Sequence, residues 1–224
     1  MVPEQWPEVP SVAILGGTGA MGQGLARRWA AAGLPVVVGS RDARRARDVA
    51  EHLAAATGTD VRGATNAHAA RLGDVVVVAV PWEAHAPLLM SLRRELAGRL
   101  VVDCVNPLGR DEHGMHVLPV PEGSAAQQAA ALLPEAFVTG AFHHVAAAAL
   151  SDPAAMRVDS DVLVVGDDDA AVARTVSLVE RIPGLRGVHG GGLRLAGGVE
   201  AVAASLIEVS RRERVRTGMR VTGL

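Results

Sequence analysis

Three glycines near the start of the chain have the spacing of a phosphate-binding loop: Gly17, Gly19 and Gly22 form the pattern G-x-G-x-x-G. In such a loop the first glycine permits a tight turn, the second lets the backbone approach a pyrophosphate, and the third lets the next helix pack closely. The first turn of that helix offers unpaired N–H groups and a partial positive charge to the phosphates. This spacing indicates dinucleotide binding; the alternative is a glycine-rich turn that only joins a strand to a helix.

The segments around these glycines fit a βαβ unit. The apolar run at residues 12–15 predicts a buried strand, the alanine-rich run at 25–32 predicts a helix, and Gly33 is typical of a helix end. A second apolar run, 34–38, predicts the next parallel strand. Because strand, loop, helix and strand follow one another in this order, we predict that the loop binds a dinucleotide.

Polar and basic residues after the second strand indicate which dinucleotide is bound. NAD sites usually place Asp or Glu about 20 residues past the glycines, where it binds the ribose 2′-hydroxyl. This chain has Ser40 and Arg41 there, and Arg44, Arg45 and Arg47 follow. A hydroxyl and a guanidinium bind a 2′-phosphate, which a carboxylate would repel. We therefore predict NADP, although part of the arginine cluster is also explained as a solvated helix face. The nearby carboxylate of residue 42 is interpreted as the start of the next helix.

Composition narrows the class of protein. The chain has 224 residues, 49% of them hydrophobic and 21% charged, and a net charge of −2, so neither nucleic acid nor an anionic membrane is expected as a partner. The single cysteine, Cys104, excludes an internal disulfide and CxxC metal sites. Residues 167–169 are all Asp, which we interpret as a helix start, and we predict no metal. No signal peptide and no apolar run of roughly 18 residues is recognised, which predicts a cytoplasmic protein.

Two residue types are missing altogether. The chain has no tyrosine and no lysine, so its 22 Lys-plus-Arg residues are all arginine. Many nicotinamide enzymes protonate a forming alkoxide with Tyr or Lys. This chain must therefore use histidine, a carboxylate or water, or act on an acceptor that needs no positioned acid.

Strand and helix patterns alternate through residue 142, which predicts an α/β fold with a doubly wound, mainly parallel sheet. We predict an NADP-binding Rossmann domain over residues 11–144 and a smaller C-terminal α/β part over 145–224. Within this scheme, helices are expected at 87–97 and 193–216, and an irregular stretch from 106 to 123. The apolar last helix is a candidate homodimer surface. The glycine run at 190–192 is interpreted as a flexible junction or a place of close ligand approach.

Ligands of open α/β sheets bind at the carboxyl ends of the strands. Pro81 and Trp82 follow one strand and are expected beside the nicotinamide, with edge packing as the alternative for Trp82. Asn106 follows the next strand and is a candidate for binding an amide or ring carbonyl, with turn chemistry before a proline as its alternative. His143 and His144 end a third strand, so one of them is expected to point into the cleft and the other away. Residues 103 and 104, an Asp and a Cys, are interpreted as core features.

Seven short motifs between residues 15 and 169 together resemble the NADPH-dependent reductases of coenzyme F420, a deazaflavin, and the resemblance covers residues 12–224. The motifs are Leu15-Gly-Gly-Thr-Gly, Val38-Gly-Ser-Arg, Val80-Pro-Trp-Glu, Asn106-Pro-Leu, Gly123-Ser-Ala-Ala, Ala141-Phe-His and Val165-Gly-Asp-Asp-Asp. The glycine-loop and Gly-Ser-Arg motifs occur in many NADP proteins. The combination with Pro-Trp-Glu and Gly-Asp-Asp-Asp is much more specific.

The resemblance implies hydride transfer between C4 of the nicotinamide and C5 of the deazaflavin, in either direction. It also implies site residues: Thr18, Gly19, Ala20 and Met21 for the pyrophosphate, Ser40, Arg41 and Arg45 for the 2′-phosphate, Val80, Pro81 and Trp82 for the nicotinamide side, and His143, the candidate catalytic residue, near the deazaflavin. Residues 219–224 are expected to help cover the ring. The missing Lys and Tyr agree with this chemistry, because transfer between two conjugated rings depends mainly on positioning and water exclusion.

Two other functions remain open at this point. The first is an NADP-dependent reductase of a small imine or carbonyl compound, in which His143 or His144 is the acid. The second is a non-catalytic protein that senses NADP and regulates a partner.

Overall fold

The computed structural model describes residues 6–224, which fold as an alternation of strands and helices. The first part contains β1 (Val12–Leu15), α1 (Ala20–Ala31), β2 (Val36–Ser40), α2 (Ala43–Thr57), β3 (Val61–Thr65), α3 (Asn66–Leu72), β4 (Val75–Val78), α4 (Trp82–Ser91), α5 (Arg93–Leu96) and β5 (Leu100–Asp103). The second part contains β6 (Leu108–Asp111), β7 (Gly114–Val117), α6 (Ala125–Leu132), β8 (Phe137–Gly140), α7 (Ala147–Ser151), β9 (Ser160–Gly166), α8 (Asp169–Glu180), β10 (Leu185–Gly191) and α9 (Ala196–Glu213).

One sheet runs through the molecule in the strand order β10-β9-β8-β5-β4-β1-β2-β3. Neighbouring strands are parallel except β8 and β9, which are antiparallel. The doubly wound, mainly parallel sheet that the sequence predicts is therefore confirmed. The chain reverses its direction of winding at β1, which lies between β2 and β4, and such a reversal opens a crevice at the carboxyl ends of the strands.

Apolar side chains fill the space on both faces of the sheet. Alternate residues of a strand point to opposite faces, so Ile14 packs in one core cluster and Leu15 in the other. On the first face, Trp29 of α1 lies edge-on to Phe142 with ring centroids 5.6 Å apart, and its Nε1 donates a hydrogen bond to the carbonyl of Leu178. These contacts fix α1 against the sheet and against α8.

The helix after β4 begins earlier than the sequence predicts. The prediction of a helix starting at Pro87 is wrong, because α4 starts at Trp82 and contains Pro87 in its second turn. The extended residue before the helix is Pro81, whose ψ is 149°. Proline is common in the first turn of a helix, so both Pro81 and Pro87 suggested a helix start. As a result, Glu83, Ala84, Pro87 and Leu88 form a wall of the crevice.

The stretch predicted to be irregular contains a β-hairpin. The prediction is wrong for β6 and β7, which pair antiparallel with Leu108 opposite Val117. The hairpin packs against the last helix, where the backbone N–H of Met115 donates to Glu208 Oε1 at 3.2 Å. Its residues are largely polar or glycine and show no apolar alternation, so the sequence pattern carried no strand signal.

The C-terminal segment continues the same sheet through β9 and β10, and the glycines expected to form a flexible junction lie partly in β10. A boundary at residue 144 therefore stays a prediction. The last helix, α9, spans a shorter range than predicted and ends before Arg214, whose φ is 55°. Within residues 6–224, no helix combines the length and apolar character needed to cross a lipid bilayer.

A buried arginine joins α1 to α7 at this junction. Arg28 is 8% exposed, and its guanidinium donates hydrogen bonds to the carbonyls of Leu150, Ala155, Ala149 and Asp152. The positive charge lies at the carboxyl end of α7, where a helix favours a cation. On the same side of α1, a Cβ on Gly24 would come within 2.7 Å of the Leu150 Cβ, so glycine allows the close approach.

We expect Arg28→Met to lower the free energy of unfolding by roughly 3 kcal/mol, because it leaves four buried or half-buried carbonyls without their donor. Urea denaturation measures the change. The matched control is Arg27→Met on the same helix, for which we expect a change within about 0.5 kcal/mol. Equal effects of the two substitutions would contradict the assigned role of Arg28.

Candidate active site

The glycine loop adopts a left-handed conformation at Gly16, one residue before the first glycine of the pattern. Gly16 has φ of 75°, and a Cβ there would lie 2.6 Å from the carbonyl oxygen of Ala79. Gly17 belongs to the same tight turn, which its N–H closes by donating to the carbonyl of Ile14 at 3.1 Å. Its N–H also donates to the carbonyl of Gly39 at 2.8 Å, and a Cβ would lie 2.9 Å from the carbonyl oxygen of Ile14. Two adjacent glycines thus shape the end of β1.

Helix α1 begins directly after this loop. Gly19 is its N-cap and provides no side chain to the first-turn N–H groups. A Cβ on Gly22 would lie 2.6 Å from the Cα of Gly17, so only glycine allows α1 to approach the loop this closely. The first N–H groups of a helix have no partner within the helix. The start of α1 is therefore suited to binding an anion.

A cleft of about 890 Å³ opens beside this helix terminus. Its walls combine the glycine loop, the end of β2, the end of β4 and one face of α4, with the residues Gly16, Thr18, Gly19, Ser40, Arg41, Asp42, Arg45, Asn66, Ala79, Val80, Pro81, Glu83, Ala84, Pro87, Leu88 and Ser91. Asn66, which sequence reasoning missed, accepts a hydrogen bond from the N–H of Gly16 at 3.2 Å and so supports the loop. A polar residue directly after β3 was the available signal.

Two arginines line the end of the cleft next to β2. Of the four arginines between residues 41 and 47, Arg41 and Arg45 line the cleft, and Ser40 lies at the last position of β2 with 7% exposure. Asp42 caps α2 as predicted and accepts hydrogen bonds from the N–H groups of Arg44 at 2.8 Å and Arg45 at 3.3 Å. The N–H groups of Arg45 and Arg44 hold the pKa of the Asp42 carboxyl below its ordinary value. The Asp42 carboxylate is thus engaged in capping α2.

The predicted nicotinamide residues divide between two surroundings. Val80 and Pro81 line the cleft. Trp82 instead packs against the second core cluster, and its ring stacks on His85 with centroids 5.5 Å apart and an interplanar angle of 28°. The packing alternative raised for Trp82 matches this arrangement.

A second cavity, of about 370 Å³, lies on the other side of the start of α1. It is lined by Met21, Asn106, His143, His144, Val145, Ala146, Ala147, Ala148, Ala203, Leu206, Ile207, Ser210, Val215, Arg216 and Thr217. Most of these side chains are apolar or small, and α9 supplies one wall. Because Gly19 lines the first cleft and Met21 the second, the two openings flank the same helix terminus.

His143 is held in place by Asn106. The Asn106 Nδ2 donates to the carbonyl of His143 at 2.7 Å, which leaves its Oδ1 to accept from His143 Nδ1 at 3.2 Å. The Nε2 atom is buried without a hydrogen-bond partner among the described residues, and it lies 2.9 Å from the position of a Cβ on Gly140. Burial lowers the pKa of His143 to about 4. The imidazole is therefore neutral at physiological pH.

His144 is held by different atoms. Its Nε2 accepts a hydrogen bond from the N–H of Leu163 at 3.3 Å, and burial lowers its pKa. Both residues line the second cavity, both are nearly fully buried, and each is held by protein atoms. That one histidine points into the cleft and the other away stays a prediction. The turn that orients them includes Phe142, whose φ is 64°.

Three further predictions can be compared with these positions. Asn106 lines the second cavity, where its whole amide is engaged by His143. The acidic run at 167–169 serves helix ends and turns: Asp168 caps α8, and Asp167 accepts from the N–H of Leu193 at 2.8 Å. In the described part of the chain, no group of three or more His, Cys, Asp or Glu side chains is placed to hold a metal ion.

Sequence reasoning also missed a buried pair of charged residues. His85 of α4 and Asp103 of β5 are both fully buried, with Nε2 and Oδ2 2.6 Å apart. Asp103 had been assigned to core packing. The available signal was a carboxylate inside an otherwise apolar strand, although nothing in the spacing identified its partner.

We expect the stability of this protein to depend on His143 as the pH falls. Below about pH 6.5 His143 is protonated in the unfolded chain, whereas in the folded protein it stays neutral down to about pH 4. The free energy of unfolding therefore decreases as the pH falls from about 6.5 to about 4. Between pH 7 and pH 5 the loss from His143 amounts to roughly 2 kcal/mol. His143→Gln should remove that part of the pH dependence in urea denaturation, and the control His52→Gln, at an exposed position, should not. An unchanged pH slope in His143→Gln would contradict a neutral, buried His143.

Comparison with known proteins agrees with this geometry. The family described as "NADP oxidoreductase coenzyme F420-dependent" matches residues 11–107. The F420-dependent NADP reductase of Methanothermobacter thermautotrophicus is 39% identical over 227 residues, which cover 96% of this chain and 96% of that protein.

Among solved structures, a putative F420 dependent NADP-reductase from Arthrobacter superposes with a TM-score of 0.80 at 26% identity, covering 96% of this chain and 100% of that chain. An imine reductase from Bacillus cereus superposes with a TM-score of 0.62 at 20% identity, covering 91% of this chain and 63% of that chain, and shares the fold. The extent of sequence identity with the first relative shows that this chain belongs to the family of F420-dependent NADP reductases.

Proposed function

We propose that this protein transfers a hydride between NADP(H) and coenzyme F420. The observation that carries the proposal is the pair of openings that flank the start of α1: a polar cleft with two arginines on one side and a largely apolar cavity on the other. One cofactor for each opening places two redox rings beside the same helix terminus. The names of the related proteins support this assignment.

The cleft fits NADP(H) on the evidence of its own residues. Gly22 permits a close approach that any Cβ would block, and the unpaired N–H groups at the start of α1 suit a pyrophosphate. We assign Gly17, Thr18, Gly19, Ala20 and Met21 to the pyrophosphate, Ser40, Arg41 and Arg45 to the 2′-phosphate, and Val80, Pro81 and the neighbouring Trp82 to the nicotinamide side. Guanidinium groups and a hydroxyl match the added phosphate of NADP.

The second cavity fits the deazaflavin. Its wall combines small alanines after His143 with apolar residues of α9, which exclude water from a flat ring. Asn106 and His143 form one hydrogen-bonded unit at its edge. When bound, the nicotinamide and the deazaflavin would supply the redox chemistry: two electrons move with the hydride between C4 and C5, and the reduced deazaflavin takes its balancing proton from water. The protein binds, orients and shields the two rings.

The residues of the site favour this reaction over reduction of an imine or carbonyl compound. That reaction needs a proton donor near the acceptor. His143 is neutral, both histidines are held by protein atoms, and the chain has no Lys or Tyr. We therefore propose His143 as the residue that shapes the deazaflavin side through contact with the ring.

We further propose a homodimer that resides in the cytoplasm. Helix α9 exposes Ile207 at 42% and Val209 at 44%, and the preceding turn exposes Leu195 at 48%. Burying such side chains against a second copy removes apolar surface from water. Analytical ultracentrifugation tests the oligomeric state, and a monomer at all concentrations would contradict this part of the proposal.

The reaction is tested by mixing the protein with NADPH and oxidised coenzyme F420. Loss of deazaflavin absorbance with one NADPH oxidised per deazaflavin supports the proposal. Oxidation of NADPH only with an imine or ketoacid panel would support the carbonyl or imine reductase instead. Tight NADP binding without any turnover would support a sensor.

We expect Arg41→Ala to raise the KM for NADPH by about tenfold or more, because it removes a charge-assisted hydrogen bond to the 2′-phosphate. The KM for NADH, which has no such phosphate, should change little. Steady-state kinetics with both cofactors measures the difference, and Arg44→Ala, outside the cleft, is the matched control. Equal losses for NADPH and NADH would contradict the 2′-phosphate assignment.

A further inference from the structure

A buried ionic contact links α4 to β5 next to the proposed site. The ring of His85 and the carboxylate of Asp103 have no exposed surface, and His85 Nε2 lies 2.6 Å from Asp103 Oδ2. The other ring nitrogen, Nδ1, lies 3.1 Å from Gln128 Oε1 of α6. One histidine thus joins three elements.

The surroundings of the ring indicate its protonation state. Gln128 Nε2 donates to Glu122 Oε2 at 3.2 Å, so the Gln128 oxygen faces His85 as an acceptor. A side-chain oxygen next to each ring nitrogen favours a ring that carries hydrogen on both nitrogens. Burial alone lowers the pKa of His85, but the adjacent Asp103 and the Gln128 contact outweigh it and raise the pKa above its ordinary value.

Hydrogen bonds connect Asp103 to the two chain segments at the edge of the second cavity. Its Oδ1 accepts a hydrogen bond from the N–H of Val105 at 2.9 Å, and its backbone carbonyl accepts from the N–H of Ala141 at 3.0 Å. Val105 precedes Asn106, which holds His143 through two hydrogen bonds. The Asp103 carboxylate therefore fixes the segment that carries Asn106, and the Asp103 backbone carbonyl fixes the segment that carries His143.

A buried glutamate connects the same region to α9. Glu200 is 1% exposed and accepts hydrogen bonds from the N–H of Ala125 at 2.9 Å and the N–H of Ala126 at 3.1 Å, at the start of α6. It interacts electrostatically with both Asp103 and His85. Ala203, one turn further along α9, lines the second cavity. The wall of the cavity is thus anchored to the helix that also contacts His85.

We propose that His85, Asp103 and Glu200 form a positioning cluster that sets the separation of the two rings. This inference rests on the proposed function. His85 fixes the face of α4 that follows Pro81 in the NADP cleft, and Asp103 and Glu200 fix two walls of the second cavity. Buried ion pairs contribute little net stability relative to apolar packing, but their hydrogen bonds have defined directions. Hydrogen bonds with defined directions suit a cluster that positions the walls of the two openings.

The test compares the hydride-transfer step with cofactor binding. Stopped-flow single turnover with saturating NADPH and oxidised coenzyme F420 measures the step, and NADPH deuterated at the transferred position confirms that hydride transfer is observed. We expect Asp103→Asn to slow the step about tenfold or more, since displacement of reacting atoms by a fraction of an ångström is costly. The Kd for NADPH, measured by fluorescence, should stay within about twofold because the phosphate-binding residues are untouched.

The control tests whether any loss of a hydrogen-bonded carboxylate has this effect. Asp74 is half-buried at the amino ends of β1 and β4, and its carboxylate accepts hydrogen bonds from the Ser11 N–H at 2.8 Å and the Ser11 Oγ at 2.7 Å. Asp74→Asn should lower thermal stability without slowing hydride transfer at 25 °C. His85→Gln should slow the step like Asp103→Asn, and the double variant should be no slower than either single variant, because the pair acts as a unit.

The possible results separate this inference from the proposed function. An unchanged single-turnover rate in folded Asp103→Asn or His85→Gln would overturn the positioning cluster, even while the wild type reduces the deazaflavin. Absence of deazaflavin reduction by the wild type would instead overturn the proposed function. If neither variant folds, nitrogen-15 NMR of the wild-type histidines decides: an imidazolium at position 85 at neutral pH supports the cluster, and a neutral ring there overturns it.

Discussion

The close approach of α1 to the end of β1 is the constraint on which both openings depend. The Cα of Gly17 occupies space that a Cβ on Gly22 would need, and Gly16 turns through a left-handed conformation against the carbonyl of Ala79. Together these glycines allow the first turn of α1 to lie directly over the sheet. Any side chain at Gly22 would push the helix away and change the cleft and the second cavity at once.

The sequence predicted this region well because its signals are local. The order of strand, glycine loop and helix, the NADP-type residues after β2, and the cap formed by Asp42 all depend on residues near one another in the chain. The mainly parallel sheet followed from apolar runs that such a sheet buries on both faces. The placement of α4 failed because two prolines gave competing start signals, and β6 and β7 carried no apolar alternation.

The side-chain contacts that define the second cavity were not accessible to the same reasoning. His85 meets Asp103 across 18 positions, and Asn106 meets His143 across 37, so no spacing rule connects them. The sequence placed His143 at the right strand end but could not show that burial keeps it neutral. That burial disfavours the proton-donor role that the imine or carbonyl reductase would require of His143, in agreement with a reaction that moves a hydride between rings.

The contact between Arg28 and α7 has a mechanical consequence. Helix α1 begins at the NADP cleft, and two turns later Arg28 donates hydrogen bonds to carbonyls at the carboxyl end of α7. The first residues of α7 line the second cavity. Both proposed ligands therefore lie against helix α1 or against the helix that Arg28 connects to it. Motions of the surface loops are therefore expected to change how fast a ligand enters or leaves more than they change the relative placement of the two openings.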